Sequence, residues 1–171
     1  LISKEKLLQL SKDEGFAFLV DKPLNWTSFD VVAKLRNLTK IKKIGHAGTL
    51  DPLATGLLIL CFGRKATKRI NEFQNQPKKY EAIVKIGAKT KTFDSEMDEE
   101  DVKDTQHINL NDISHVVKGF IGEIEQIPPK FSALKVNGKP AYKLARNEKD
   151  FQLSPKKVNI YDIQINSFEN P

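Results

Sequence analysis

The sequence predicts a single domain that mixes α-helices with β-strands, and three observations carry that expectation. Apolar residues recur at helical spacing in some stretches, as at Ile113, Val116, Val117 and Phe120, and alternate or run on in others, as from Leu57 to Phe62. Gly, Pro and Asn clusters separate these stretches, with no internal repeat and no low-complexity linker. The length, 171 residues, suits one domain large enough to bury a sizeable core.

Composition narrows the class. Apolar residues make up 39% and charged residues 29%, a globular balance rather than a disordered one. No apolar run approaches the roughly 20 residues that cross a bilayer. Leu1 to Leu10 reads as a short helix and not as a signal peptide, because Glu5 interrupts it and no small-residue cleavage pattern follows. The net charge of +6 favours an anionic partner, nucleic acid first. Cys61, inside Leu-Ile-Leu-Cys-Phe, reads as a core residue, and a single cysteine excludes an internal disulfide. The three histidines, His46, His107 and His115, are too scattered to suggest a metal cluster. A start at leucine and an end at Pro171 with no convincing final element read as a fragment.

The elements follow in order. Asp13-Glu14-Gly15 turns the chain into Phe16 to Val20, a short apolar strand bounded by Asp21-Lys22-Pro23. Thr27 or Ser28 is the expected cap of a helix that carries Val31, Leu35 and Leu38 on one face. Leu57 to Phe62 reads as a strand buried on both faces, ended by Gly63. A helix with Ala66, Ile70 and Phe73 on one side comes next. Lys78 to Ile86 alternates as a strand would, with Tyr80, Ala82, Val84 and Ile86 on one face. Asn111 is the expected cap of the helix through Phe120, and Lys156 to Ile165 is a last strand. The acidic run Asp94 to Asp101 is no calcium loop, since Glu99 stands where that loop needs glycine and Thr105 where it needs glutamate. It reads as a solvated loop.

The stretch from Lys43 to Leu60 is the most constrained. Gly45, Gly48 and Gly56, with His46 and the pair Asp51-Pro52, directly precede the apolar run. Pro52 fixes its own φ and pushes Asp51 into an extended conformation, which aims one carboxylate at the lip of a strand. Lys40, Lys42 and Lys43, just before it, fit either a solvated face or phosphate contacts. Tyr80 by itself reads most simply as a core tyrosine. Residues 126–146 place five basic side chains around Phe131 and Tyr142, with Asn137-Gly138 as a turn signal and Pro140 as a helix start. By composition alone that is equally a nucleic-acid surface or a basic loop folded over a sheet.

Gly48-Thr49-Leu50-Asp51-Pro52, preceded by Gly45-His46, closely resembles the catalytic motif of the TruB family of tRNA pseudouridine synthases. Further segments agree in the family's order. Asp21-Lys22-Pro23 to Thr27-Ser28 matches with Asn25 in place of the usual glycine, and Lys78-Lys79-Tyr80 matches Lys-x-Tyr. Pro128-Pro129-Lys130-Phe131-Ser132-Ala133-Leu134-Lys135 continues through Gly138 and Tyr142 to Ala145-Arg146, a second diagnostic segment. In residues 87–97, Thr90, Thr92 and Asp94 agree, whereas Lys91 and Met97 depart. The resemblance runs from Gly15 to about Ile165.

That resemblance implies an α+β pseudouridine synthase fold: a mixed, mostly antiparallel sheet with flanking helices and an RNA-binding thumb at about residues 126–152. It implies one catalytic domain over residues 1–171, incomplete at its C-terminal end. Asp51 is then the nucleophile. His46, Tyr80, Lys22, Lys130, Phe131, Lys135, Tyr142 and Arg146 are the implied substrate contacts, with Tyr80 stacked on the target base. The implied substrate is the tRNA T-loop uridine numbered 55 by tRNA convention, isomerised after base flipping with neither metal nor organic cofactor. A cytoplasmic monomer is expected. The family's later Thr-Tyr-Ile-Arg-Ser-Leu-Ala segment, whose arginine pairs with the catalytic aspartate, does not occur here. These residues alone are therefore expected to be inactive or nearly so. Two other classes fit the same motifs: a guide-dependent synthase subunit of a ribonucleoprotein, and a non-catalytic tRNA-binding module.

Overall fold

The computed structural model describes residues 3–132, 134–147 and 151–169. Ala133 and residues 148–150 of the expected thumb, and the chain ends at 1–2 and 170–171, lie outside the described residues. Two compact units divide the chain, residues 1–81 and residues 82–171.

The first unit holds α1 (Lys4–Asp13), β1 (Phe16–Lys22), α2 (Ser28–Thr39), β2 (Ile44–His46), β3 (Gly56–Phe62), α3 (Gly63–Lys68) and α4 (Ile70–Gln74). Its sheet is antiparallel throughout, in the order β1-β3-β2. α2 starts where the sequence placed it: Thr27 accepts from the Asp30 amide while the Asp30 carboxylate accepts from the Thr27 amide, a reciprocal cap. Val31 and Val32 of α2 pack with Ile41, Ile44, Leu58, Leu60 and Phe62 into the buried core, which Leu7, Leu8, Phe16, Val20 and Leu35 border. Cys61 is fully buried, and desolvation pushes its thiol pKa up.

Only part of the β1-β3 surface is covered. Leu58 and Leu60 are buried, whereas Leu57 and Leu19 stay more than 60% exposed, so β3 is not buried on both faces as its apolar run predicted. The expected single helix after Gly63 is two, because the turn breaks at Arg69, whose side chain pairs with Glu72.

Gly63 is the tightest joint between helix and sheet. Its φ is +86°, its amide donates to the Lys43 carbonyl, and an added Cβ would land on the Ser11 carbonyl oxygen. Gly63→Ala in the full-length protein is expected to cost about 2–3 kcal/mol from left-handed strain and overpacking. Urea denaturation reads this directly, and an unchanged midpoint would contradict it.

The second unit holds α5 (Leu110–Lys118), β4 (Gly122–Gln126), β5 (Lys135–Val136), β6 (Lys139–Pro140), α6 (Ala141–Arg146) and β7 (Lys156–Ile160). β4 pairs with β7 and β5 with β6, both antiparallel. The β5-β6 hairpin turns on Asn137 and Gly138, both at positive φ as a two-residue turn requires. Pro140 caps α6 rather than opening it. The acidic run is partly neutralised, with Lys85 on Glu99, Lys89 on Asp101 and Lys91 on Glu100.

The α+β class therefore holds, with all described pairings antiparallel but split among three sheets. Three expectations need correction. Lys78 to Ile86 is irregular and not a strand; Ile83 and Val84 stand in solvent, because alternation makes a strand only where a partner strand supplies hydrogen bonds. The last strand stops at Ile160, where its partner begins at Gly122. The cap of α5 is Asn109 and not Asn111, because Asn109 accepts from two amides and Asp112 returns the bond. No helix among the described residues is long and apolar enough to cross a membrane.

Candidate active site

The loop between β2 and β3 follows directly on His46, the last residue of β2, and carries Asp51. Asp51 begins a tight turn: the Ala54 amide donates to the Asp51 carbonyl at 3.0 Å across Pro52 and Leu53. Proline at the second position presets that turn. The Asp51 side chain is exposed, so its carboxylate is offered outward.

Three residues from outside the loop hold this turn in place. Ser28 is buried, and its hydroxyl both accepts from the Leu50 amide at 3.0 Å and donates to the Leu50 carbonyl at 3.2 Å. Asn25, at a φ of +63°, donates its amide to the Pro52 carbonyl at 2.8 Å. The left-handed turn that asparagine tolerates is thus used to reach Asp51-Pro52.

Lys22 is the third. Its side chain is 0% exposed, and its ammonium donates to the carbonyls of Trp26 at 2.6 Å, Pro23 at 2.9 Å and Pro52 at 3.4 Å. Burial lowers its pKa, and the negative charges of Asp51 and then Asp30 oppose that shift. An ammonium has three N–H donors, and all three are committed to backbone. Lys22, expected among the substrate contacts, therefore has no donor to offer a ligand and instead ties the strand end to the Asp51 turn.

His46 lies in β2 opposite Leu60, and its Nδ1–H donates to the Gly48 carbonyl. Since a carbonyl only accepts, this bond places a proton on Nδ1 and fixes the ring plane. Arg36 secures the same strand by donating Nη2 to the Ile44 carbonyl at 2.8 Å.

The first unit thus brings Lys22 to the Asp51 turn, with His46 on the strand that leads into the same loop. Tyr80, in the same unit, is 71% exposed, and no described hydrogen bond or ring contact ties it to that loop. A core position is ruled out by this exposure. Lys130, Phe131, Lys135, Tyr142 and Arg146 belong to the second unit and form a grouping of their own. There the Tyr142 amide donates to the Ser132 carbonyl at 3.0 Å, and the Arg146 guanidinium sits 6.0 Å from the Tyr142 ring centre. Lys130 lies 5.6 Å from the ring centre of Phe151, and Arg146 is 4.0 Å from the Glu96 carboxylate. Among the described residues no group of three or more His, Cys, Asp or Glu side chains converges.

Ser28 and Arg36 were missed as loop-holding residues. Ser28 carried a weak signal as a possible helix cap. Arg36 carried none, since its partner is eight residues away on another element.

Residues 36–171 match the family described as "TruB family pseudouridylate synthase (N terminal domain)". A tRNA pseudouridine synthase B from Parabacteroides distasonis is 50% identical over 157 residues, covering 88% of this chain and 66% of the relative. One from Chlorobaculum tepidum is 43% identical and aligns with 100% of this chain and 72% of its own length. The chain thus spans about two thirds of the length of the curated relatives it matches. Among solved structures, one of a Cbf5-Nop10-Gar1 complex superposes with a TM-score of 0.57 at 22% identity, covering 97% of this chain and 40% of that one. At that identity the likeness is one of fold.

Proposed function

We propose a function from one premise: the chain belongs to the TruB family of pseudouridylate synthases. The protein of which these residues are a part isomerises a uridine of tRNA to pseudouridine, at the T-loop position 55 of tRNA convention. Asp51 is its nucleophile. The observation that carries this reading is the Asp51 turn, where Ser28, Asn25 and Lys22 fix the backbone on both sides of one outward carboxylate.

The chemistry follows from what that carboxylate meets. The uridine leaves its stack at a cost of a few kcal/mol, which is lower in a loop than in a duplex. His46 fills the vacated space, and the exposed Tyr80 ring stacks on the extruded base. Such stacking contributes on the order of 1–3 kcal/mol. The Asp51 carboxylate attacks, the bond from the sugar to the uracil nitrogen breaks, the base turns and rejoins through carbon, and the bond to Asp51 breaks to free the carboxylate. The proton displaced from that carbon is balanced by one taken up at the freed nitrogen. Lys130, Phe131, Lys135, Tyr142 and Arg146 bind the RNA, basic side chains on phosphate and aromatic ones on bases. We read the whole protein as a cytoplasmic monomer that takes tRNA with no guide RNA.

The test is to incubate the full-length protein with unmodified tRNA and no guide RNA, digest the product and separate its nucleosides. Pseudouridine in the T-arm fragment is the expected result. Tight tRNA binding with no pseudouridine would make the protein a binding module and overturn the reading.

A further inference from the structure

Behind β2, on the first unit, a cleft of about 370 Å³ opens between α2, α3 and α4. Its walls carry four cations, Arg36, Lys43, Arg64 and Lys68, and its floor is Ile44, Gly45 and Ile70. No carboxylate lines it among the described residues, and none of the four cations is ion-paired there.

The cleft is built on rigid parts. Ile44 belongs to the buried core, and Arg36 is pinned by its bond to the Ile44 carbonyl and by the Phe29 ring, 5.7 Å from its guanidinium carbon. Arg64 and Lys68 stand one helical turn apart on α3, which puts them on the same face. An added Cβ on Gly45 would come within 2.9 Å of the Ile70 side chain, so glycine is what lets β2 sit this close to α4. The Nε of Arg36 is buried and has no hydrogen-bond partner among the described residues. A buried donor without a partner is destabilising, and a rearrangement that brought it an acceptor would relieve that cost.

Four like charges around one hollow repel one another, and their repulsion is relieved by an anion that carries more than one charge. A phosphodiester chain does this by presenting successive phosphates. The place also fits: Lys43 precedes His46 by three residues, roughly 10 Å along an extended strand. That distance keeps the cleft within reach of an RNA whose target base lies at His46.

We propose that this cleft binds the backbone phosphates of the RNA substrate beside the extruded uridine, with Arg64 and Lys68 as its outer contacts and Arg36 and Lys43 as its inner ones. The assignment rests on the tRNA-modifying function proposed above and adds to it a phosphate site on the side of β2 that faces α3. It makes no use of the aromatic-rich basic residues of the second unit.

The experiment uses the full-length protein and a T-arm stem-loop RNA, with the dissociation constant measured across a range of salt. R64Q/K68Q is compared with wild type and with K103Q/K118Q, which removes two charges from the second unit. In the cleft variant the slope of log affinity against log salt is expected to fall by about 1.4–1.8, with affinity near physiological salt reduced roughly tenfold or more. K103Q/K118Q is expected to keep the wild-type slope. An unchanged slope in R64Q/K68Q overturns the proposal, and so does an equal fall in both variants, which would mark a general charge effect. Inorganic phosphate is titrated as a separate arm. Phosphate that saturates the cleft without displacing the RNA would mean a small-anion site and would overturn it too. Pseudouridine formation by wild type is measured on the same RNA: its absence refutes the functional reading, whereas its presence with an unchanged slope refutes only the cleft.

Discussion

Lys22→Met in the full-length protein should cost roughly 3–5 kcal/mol of stability and disable the Asp51 turn, because three backbone carbonyls lose a charged donor at once. Methionine matches the length of the lysine stem, so the core beneath loses little packing. What goes is the ammonium that joins the Pro23 and Trp26 carbonyls to that of Pro52. The stability loss is read by urea denaturation. The positioning role is read separately, under conditions where the variant is still folded. There RNA affinity should change little while the single-turnover rate falls, since Lys22 has no donor left for the substrate. A variant that weakens binding but keeps the rate would instead make Lys22 a substrate contact. Its titration has a sign that can be checked as well. Burial places the folded pKa below that of an unfolded lysine, so between the two values the unfolded chain holds more protons and stability gains with rising pH. Wild type should show this gain in the alkaline range just below the unfolded lysine pKa, and Lys22→Met should lack it.

The parts of the fold that depend on neighbours in sequence were legible. Thr27 caps α2 with Asp30 three residues on, and Asn137-Gly138 turns the β5-β6 hairpin, each through bonds that one short segment supplies by itself. The burial of Cys61 was equally plain, because its apolar neighbours leave it nowhere else to go. Residues 78–86 show the opposite case. Their alternation is strand-like, but a strand is a relation between two segments, and no strand forms over these residues. The α5 stripe has the same weakness: Ile113 and Val117 are half-buried, while Val116 and Phe120 remain at least 50% exposed.

At the site, Asp51 stood out because glycines, histidine and proline crowd around it in one stretch. The residues that hold it did not. Ser28 reaches Leu50 across 22 positions and Lys22 reaches Pro52 across 30, and no local pattern encodes which carbonyl a buried side chain will find. The motif that contains Lys22 suggests a substrate contact; its burial and its three carbonyl partners, which no local pattern shows, favour a holding role instead.

The second large effect belongs to Asp51 itself. Asp51→Asn keeps the shape of the side chain and removes its charge. Because Asp51 is exposed and its turn is held by the Ala54 and Asn25 amides and the Ser28 hydroxyl, the substitution should alter stability by no more than about 0.5 kcal/mol. RNA affinity should also hold, since an amide at this point adds no repulsion to an incoming phosphate. A carboxamide is no nucleophile, however, and its loss should lower the rate by about 10³-fold or more. Single-turnover formation of pseudouridine in T-arm RNA, with full-length wild type and Asp51→Asn each in excess over RNA, measures this most directly. The expected result is full conversion by wild type and none detectable by the variant, at equal binding. Conversion by Asp51→Asn at the wild-type rate would remove Asp51 from the chemistry.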